Sequence, residues 1–258
     1  MNNIDVHYKV EGEGETVVFV HGLLDDLNYW EFLATNLKND CRVIRFDLPG
    51  HGQSELGENE IIIEYYSDCL IGILDELNVD NINLIGFSLG GAISLDFTLK
   101  YPQKVDSLVL MSSFSRVNDH LKDVFAKFKC ALDMSFEEFY DLILPMVLCP
   151  EVIDAHRKEL ELLKQIASQT ANTQAYIKAI DACTDFDVED KLSKIEIPTL
   201  VLAGKYDDIT LVDSQKSICD NIQNSRLIVF DDVKHNLLVG ENNKKILDIL
   251  KVFLKNKS

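Results

Sequence analysis

The chain has 258 residues, 47% of them hydrophobic, and a formal net charge of −18, which suits one large domain, or a domain with an insertion, around an apolar core. The negative charge would repel nucleic acid and anionic membranes, and no uncharged apolar stretch reaches about 18 residues, so we expect no nucleic-acid partner, signal peptide or membrane span. The six cysteines are scattered without a C-x-x-C pair, which favours reduced thiols and a cytoplasmic protein.

Short apolar runs alternate with longer amphipathic ones along most of the chain. Residues 4–10 alternate between apolar and polar side chains, which predicts an exposed edge strand. Six later runs have strand length and are apolar on both faces, as strands covered by helices on both sides would be. They are residues 17–20, 43–46, 82–85, 107–111, 199–203 and 226–230. The alternation with helix patterns predicts an α/β fold, a doubly wound and mostly parallel sheet of about seven to eight strands.

The alternation breaks between residues 114 and 187, where we find helix patterns and no convincing strand. Ser135 and Glu138 form a capping box for one helix, Pro150 suits the first turn of another, and Asn172 suits a third as its N-cap. A further apolar stripe precedes them at residues 121–132. We therefore predict a core formed by residues 1–113 and 188–258, with residues 114–187 inserted between two of its strands.

The sequence GFSLGG lies at a predicted junction between a strand and a helix. A sharp turn there would bring the strand and the helix close together, which requires the missing side chains of Gly86 and Gly90. The turn would present the hydroxyl of Ser88 at the carboxyl end of the sheet, where open α/β sheets bind ligands. We interpret Ser88 as a nucleophile, and the amide of Leu89, at the start of the helix, as a donor to a developing oxyanion.

A serine hydroxyl needs a base and an acid to orient that base. Of the six histidines, His235 follows the last predicted strand, at the same end of the sheet as Ser88. Asp207 and Asp208 both follow the preceding strand, so either could be the acid. A second oxyanion donor is expected from the turn after the first buried strand, with Leu23 ahead of Leu24.

These motifs together resemble the α/β-hydrolase superfamily, in its capped carboxylesterase-like branch. The matching segments are HG after an early strand, FDLPGHGQS after the next, GFSLGG, AGKYD after a late strand, and a histidine after the last strand. The resemblance implies that residues 114–187 form a helical cap inserted after the sixth strand of the family. It also implies Asp207 as the triad acid and Leu23 as the oxyanion donor. Lys234 departs from the pattern, because relatives usually have glycine before the base.

The residues and the resemblance favour a serine carboxylesterase that cleaves small to medium, modestly hydrophobic esters without a metal or cofactor. A thioesterase, a carrier-protein methyl-ester hydrolase, a lactonase, a C–C hydrolase and a perhydrolase would use the same parts. A ligand-sensing signalling protein that retains the triad is an alternative of another class. The oligomeric state is left open. The residues expected to bind substrate are Leu24, Phe87, Phe125, Phe139, Ile143 and Met146.

Overall fold

The structure, a computed structural model, describes residues 4–256. Strands and helices alternate along most of this part of the chain. The strands are β1 (Tyr8–Glu11), β2 (Thr16–Val20), β3 (Arg42–Phe46), β4 (Ile82–Phe87), β5 (Val105–Met111), β6 (Thr199–Gly204) and β7 (Ser225–Phe230). The α-helices are α1 (Glu31–Leu37), α2 (Ile63–Glu76), α3 (Leu89–Lys100), α4 (Asp119–Met134), α5 (Phe136–Val147), α6 (Pro150–Ala155), α7 (Arg157–Thr170), α8 (Thr173–Cys183), α9 (Val212–Asn221) and α10 (Asn242–Asn256).

The seven strands form one sheet in the order β1-β3-β2-β4-β5-β6-β7. β1 pairs antiparallel with β3, and every other neighbouring pair is parallel. β2, β4 and β6 are buried along their whole length because helices cover both faces of the sheet. One apolar cluster includes α2 and α3, and the other includes α1 and α10. The predicted α/β fold with a doubly wound, mostly parallel sheet is confirmed.

The edge strand β1 is shorter than the sequence predicts and begins at Tyr8 rather than at residue 4. The preceding residues bond to the loop after β3 instead of to the sheet. The backbone N–H of His7 donates to Ser54 Oγ at 2.9 Å, and the N–H of Glu55 donates to Asp5 O at 3.1 Å. The alternation of apolar and polar residues predicted a strand over residues 4–10. The first half of this segment instead forms its backbone hydrogen bonds outside the sheet.

Between β5 and β6, the chain forms the five helices α4 to α8. The predicted cap by Asn172 is present, because its Oδ1 accepts from Ala175 N at 3.1 Å. Only half of the predicted capping box forms: Ser135 Oγ accepts from Glu138 N at 3.1 Å, but the Ser135 N–H donates to Ala131 O at 3.0 Å. The helix that starts at Pro150 ends at Ala155, because His156 has φ −118° and ψ 20° and separates α6 from α7.

The two ends of this helical segment leave the sheet side by side. The N–H of Val117 donates to Phe186 O at 3.0 Å, and the N–H of Val188 donates to Ser115 O at 2.9 Å. The boundaries at residues 114 and 187, and the role of the segment as a separate cap, stay predictions. Within residues 4–256, no helix is long and apolar enough to cross a membrane.

Candidate active site

Ser88 occupies the sharp turn between β4 and α3, with φ 52° and ψ −117°. A positive φ is unusual for a residue with a side chain and stores strain of about 1–3 kcal/mol. A Cβ atom on Gly86 would lie 2.3 Å from the carbonyl oxygen of Gly90, and one on Gly90 would lie 2.2 Å from the carbonyl oxygen of Val20. Both distances are well below 3.0 Å, the shortest that Cβ atoms normally show. The glycines on both sides of Ser88 are therefore required by the close approach of the helix to the sheet.

The structure brings Ser88, His235 and Asp207 together in one hydrogen-bonded line. His235 Nε2 lies 2.9 Å from Ser88 Oγ, and His235 Nδ1 lies 2.8 Å from Asp207 Oδ2. Because a carboxylate is an acceptor, Nδ1–H donates to Asp207, which leaves Nε2 free to accept from the Ser88 hydroxyl. Asp207 and His235 are each 4% exposed, so water has little access to the bond between them.

Three donors from the turn after Asp207 fix the orientation of its carboxyl group. The N–H groups of Ile209 and Thr210 donate to Oδ1 at 2.8 and 2.9 Å, and the Thr210 hydroxyl donates to Oδ2 at 2.8 Å. Asp208, which the residue pattern left as an alternative acid, instead pairs with Lys234 at 2.6 Å and has an exposed side chain. The geometry therefore separates the two neighbouring aspartates.

The loop that carries His235 is held from several directions. Lys234 Nζ donates to Asp208 Oδ2 at 2.6 Å and to Pro145 O, near the end of α5, at 2.8 Å. The N–H of Asn236 donates to Val147 O at 3.1 Å. The lysine that stands where relatives usually have glycine thus joins the histidine loop to helix α5.

The two candidate oxyanion donors, Leu23 and Leu89, both line the cavity above Ser88. Leu89 is the first residue of α3, where backbone N–H groups have no acceptor within the helix. Leu23 follows Gly22, where a Cβ atom would lie 2.9 Å from the Phe87 ring. The loop is therefore packed directly against the residue that precedes Ser88.

Two other histidines support this region without contacting Ser88. His21 Nε2 accepts from the N–H of Leu48 at 2.9 Å, and His51 Nε2 lies 2.8 Å from the carbonyl oxygen of Leu23. Burial lowers the pKa of each imidazole to about 4, so both are neutral near pH 7. Both histidines are bound into the loops around the site, and His51 holds the loop of a candidate oxyanion donor.

A cavity of about 120 Å³ opens at Ser88 and His235, with mostly apolar walls. Four of the six residues expected to bind substrate line it, namely Leu24, Phe87, Phe125 and Ile143. The expectation for the other two needs correction. Phe139 is fully buried and packs edge-on against Phe128, with ring centroids 5.3 Å apart. Met146 does not line the cavity, whereas Val147, four residues after Ile143, shares the helix face that meets it.

Several residues of the cavity wall were not expected from the sequence. Tyr29 stacks on Phe87, with ring centroids 4.7 Å apart, and donates to Asn236 Oδ1 at 3.1 Å. Asp25 and Ile180 also line the wall. Asp25 lies two positions after Leu23, so its position in this loop could have predicted that it lines the cavity. Ile180 comes from distant α8, and only the packing of the helices brings it here.

Comparison with known proteins agrees with this architecture. Residues 15–241 match the family model of the alpha/beta hydrolase fold. Proline iminopeptidase from Saccharolobus solfataricus is 26% identical, with 96% of this chain and 87% of the relative covered. A putative carbamate hydrolase, RutD, from Agrobacterium fabrum is also 26% identical, with 96% and 97% covered. The crystal structure of the enol-lactonase from Burkholderia xenovorans has a TM-score of 0.91 at 21% identity and covers 99% of this chain and 98% of its own. The chain therefore belongs to the alpha/beta hydrolase family.

Proposed function

We propose that the protein is a serine hydrolase in which Ser88, His235 and Asp207 form a catalytic triad. His235 Nε2 takes the hydroxyl proton while Ser88 Oγ forms a bond to the substrate carbonyl carbon. Asp207 holds the imidazole in the required tautomer and stabilises the imidazolium. The single observation that supports this most is the 2.9 Å separation between His235 Nε2 and Ser88 Oγ.

The tetrahedral intermediate then expels its leaving group. Its oxyanion accepts hydrogen bonds from the backbone N–H groups of Leu23 and Leu89, and losing one such donor typically costs about 10²–10³ in rate. As the bond to the leaving group breaks, His235 returns the proton to it. Water, deprotonated by His235, attacks the acyl group on Ser88, and the proton passes back to the Ser88 hydroxyl as the acid is released.

We propose a carboxylic ester of small to medium size as the substrate. The apolar wall favours a modestly hydrophobic acyl or alkyl group. Phe125, Ile143 and Ile180 contribute to this wall from the helical segment, which supports a role for residues 114–187 as a cap over Ser88. The relatives named above include a peptidase, a putative carbamate hydrolase and a lactonase, so amides, carbamates and lactones belong in the same substrate panel.

We also propose that the enzyme works in the cytoplasm, without a metal or cofactor. All six cysteines are free thiols, which suits a reducing compartment. The acyl transfer described above needs no group beyond the side chains and backbone amides already named.

A panel of 4-nitrophenyl esters with acyl chains from two to twelve carbons tests this function. We expect turnover that peaks at short or medium chains, and a fall in kcat of roughly 10⁶ in Ser88→Ala with the fold retained. Equal rates for the two proteins would refute the role of Ser88. Negligible turnover of every ester, amide and lactone, together with tight binding of a small molecule, would instead indicate a sensor.

A further inference from the structure

The cavity wall is apolar apart from a few polar side chains, and most of those are bonded within the protein. Tyr29 donates to Asn236, Thr210 donates to Asp207, and Ser88 contacts His235. Hydrogen bonds of this kind hold the groups in place, so the hydroxyls of Tyr29 and Thr210 have little capacity left to bind a substrate.

Asp25 differs from these groups. Among residues 4–256, Asp25 is the only residue with a carboxyl group that lines this cavity. Its side chain lies against Gly22, where a Cβ atom would be 2.8 Å from Oδ2. A carboxyl group has two oxygens and room for about four hydrogen bonds, so Asp25 has the capacity to bind a substrate group.

The surroundings of Asp25 determine its protonation state and therefore which hydrogen bonds it can form. Burial, and then the neighbouring Asp26 carboxylate, raise the pKa of Asp25 to about 7, whereas His235 opposes the rise. A group with this pKa exists near neutral pH both as a donor and as an acceptor. Burial, and then the charge of Asp25, raise the pKa of the Tyr29 and Tyr176 phenols.

We propose that Asp25 is a substrate-binding residue that recognises an O–H or N–H group of the substrate next to the Gly22–Leu23 turn. The proposal rests on the serine-hydrolase function above and names its substrate class: esters that combine an apolar chain with a hydroxyl or amino group. The apolar chain packs against the wall formed by residues such as Phe125 and Ile143, and the polar group forms a hydrogen bond with Asp25.

A purely structural role would resemble that of Asp26. The side chain of Asp26 caps the short 3-10 turn at Leu27–Trp30 by accepting from Asn28 N at 2.7 Å, and Asp26 does not line the cavity. Asp25 faces the cavity instead, next to a predicted oxyanion donor. Asp26→Asn is therefore a matched control, because it changes a neighbouring carboxyl group without changing the wall.

The test uses pairs of esters that differ in one polar group. 2-Hydroxyethyl hexanoate is compared with propyl hexanoate, and 2-(dimethylamino)ethyl hexanoate with 3-methylbutyl hexanoate. Ethyl 6-hydroxyhexanoate and ethyl heptanoate repeat the comparison at the acyl end. The measured quantity is the ratio of kcat/KM within each pair, for the wild type, Asp25→Leu, Asp25→Asn and Asp26→Asn.

We expect the wild type to prefer the polar member of at least one pair by tenfold or more, as a hydrogen bond to an ionisable group allows. Asp25→Leu should lose that preference, and Asp26→Asn should retain it. Asp25→Asn distinguishes recognition of a hydroxyl from recognition of an amine. It should keep a preference for a hydroxyl, which an amide oxygen can still accept from, and lose a preference for an amine.

Two results would overturn the proposal, and they differ from failure of the hydrolase function. If the wild type cleaves the esters but its ratios stay within twofold of those of Asp25→Leu, the subsite is refuted while the function stands. If no ester is cleaved, the function fails, and calorimetric titration of the same pairs into the wild type and Asp25→Leu measures the subsite directly. Equal affinities within each pair would then refute it.

Discussion

Replacing Gly204 by alanine tests how tightly the fold positions the candidate base. Gly204 ends β6 and has no positive φ, so alanine is compatible with its backbone conformation. The added Cβ atom would instead meet the carbonyl oxygen of Lys234, which must retreat by about 1 Å before the contact reaches 3.0 Å. That carbonyl belongs to the peptide bond before His235. Moving it therefore also moves the His235 imidazole, whose Nε2 lies 2.9 Å from Ser88 Oγ.

A misplacement of about 1 Å in a catalytic group can cost about 10² in rate. We therefore expect Gly204→Ala to lower kcat on a 4-nitrophenyl ester by about 100-fold, with circular dichroism unchanged at the assay temperature. Gly72→Ala is the control. Gly72 lies in α2 with nothing within 4 Å of the added atom, so kcat should be unchanged and stability should rise by about 0.5–1 kcal/mol. A Gly204→Ala protein within twofold of the wild-type kcat would refute the reasoning.

Three further substitutions extend the account. Asp207→Asn should lower kcat by about 10⁴, because the imidazole loses its orienting carboxylate, whereas Asp208→Asn should cost less than tenfold; similar losses in steady-state assays would reject the assignment of the acid. Lys234→Met should lower kcat several-fold by freeing the histidine loop from α5. Lys205→Met, which breaks an exposed pair with Asp231 and a contact with the Tyr206 ring, should not lower kcat, and equal effects would contradict the link to α5. The folded pKa of Asp25 lies above its usual value of 3.8, so its contribution to stability is complete below that value and is lost as the pH rises towards about 7. Urea unfolding should therefore show Asp25→Asn gaining stability over the wild type between pH 5 and pH 8, by no more than about 4 kcal/mol, and no gain would show that the carboxyl is not desolvated.

The features that the sequence predicted best are those decided by neighbours along the chain. The turn at Ser88 needs glycine at positions two away on each side, and the G-x-S-x-G pattern that reveals the turn lies within five residues. Gly86 is required by the carbonyl oxygen of Gly90 in the same turn, whereas Gly90 is required by the carbonyl oxygen of Val20 in β2. The caps by Ser135 and Asn172 are equally local. The parallel sheet follows from runs that are apolar on both faces, which leave few alternatives to burial between helices.

The features that depend on distant packing were less accessible. Spacing alone does not distinguish Asp207 from Asp208, because the choice is made by the turn through Thr210 and by Lys234 in another loop. The expectation for Phe139 was wrong because its ring fills the interface with Phe128 rather than the cavity. No pattern within one helix shows which of its apolar residues will meet a neighbouring helix and which will meet a ligand.

The central claim is that Ser88 becomes acylated through His235. Mass spectrometry after rapid quenching of the wild-type protein with a slowly hydrolysed 4-nitrophenyl ester measures this most directly. The account predicts one acyl group per chain on the peptide that contains Ser88, formed together with a burst of 4-nitrophenol, and no acyl group in Ser88→Ala. His235→Ala should acylate more slowly by several orders of magnitude. Ester hydrolysis that continues in Ser88→Ala, or an acyl group found on another residue, would contradict it.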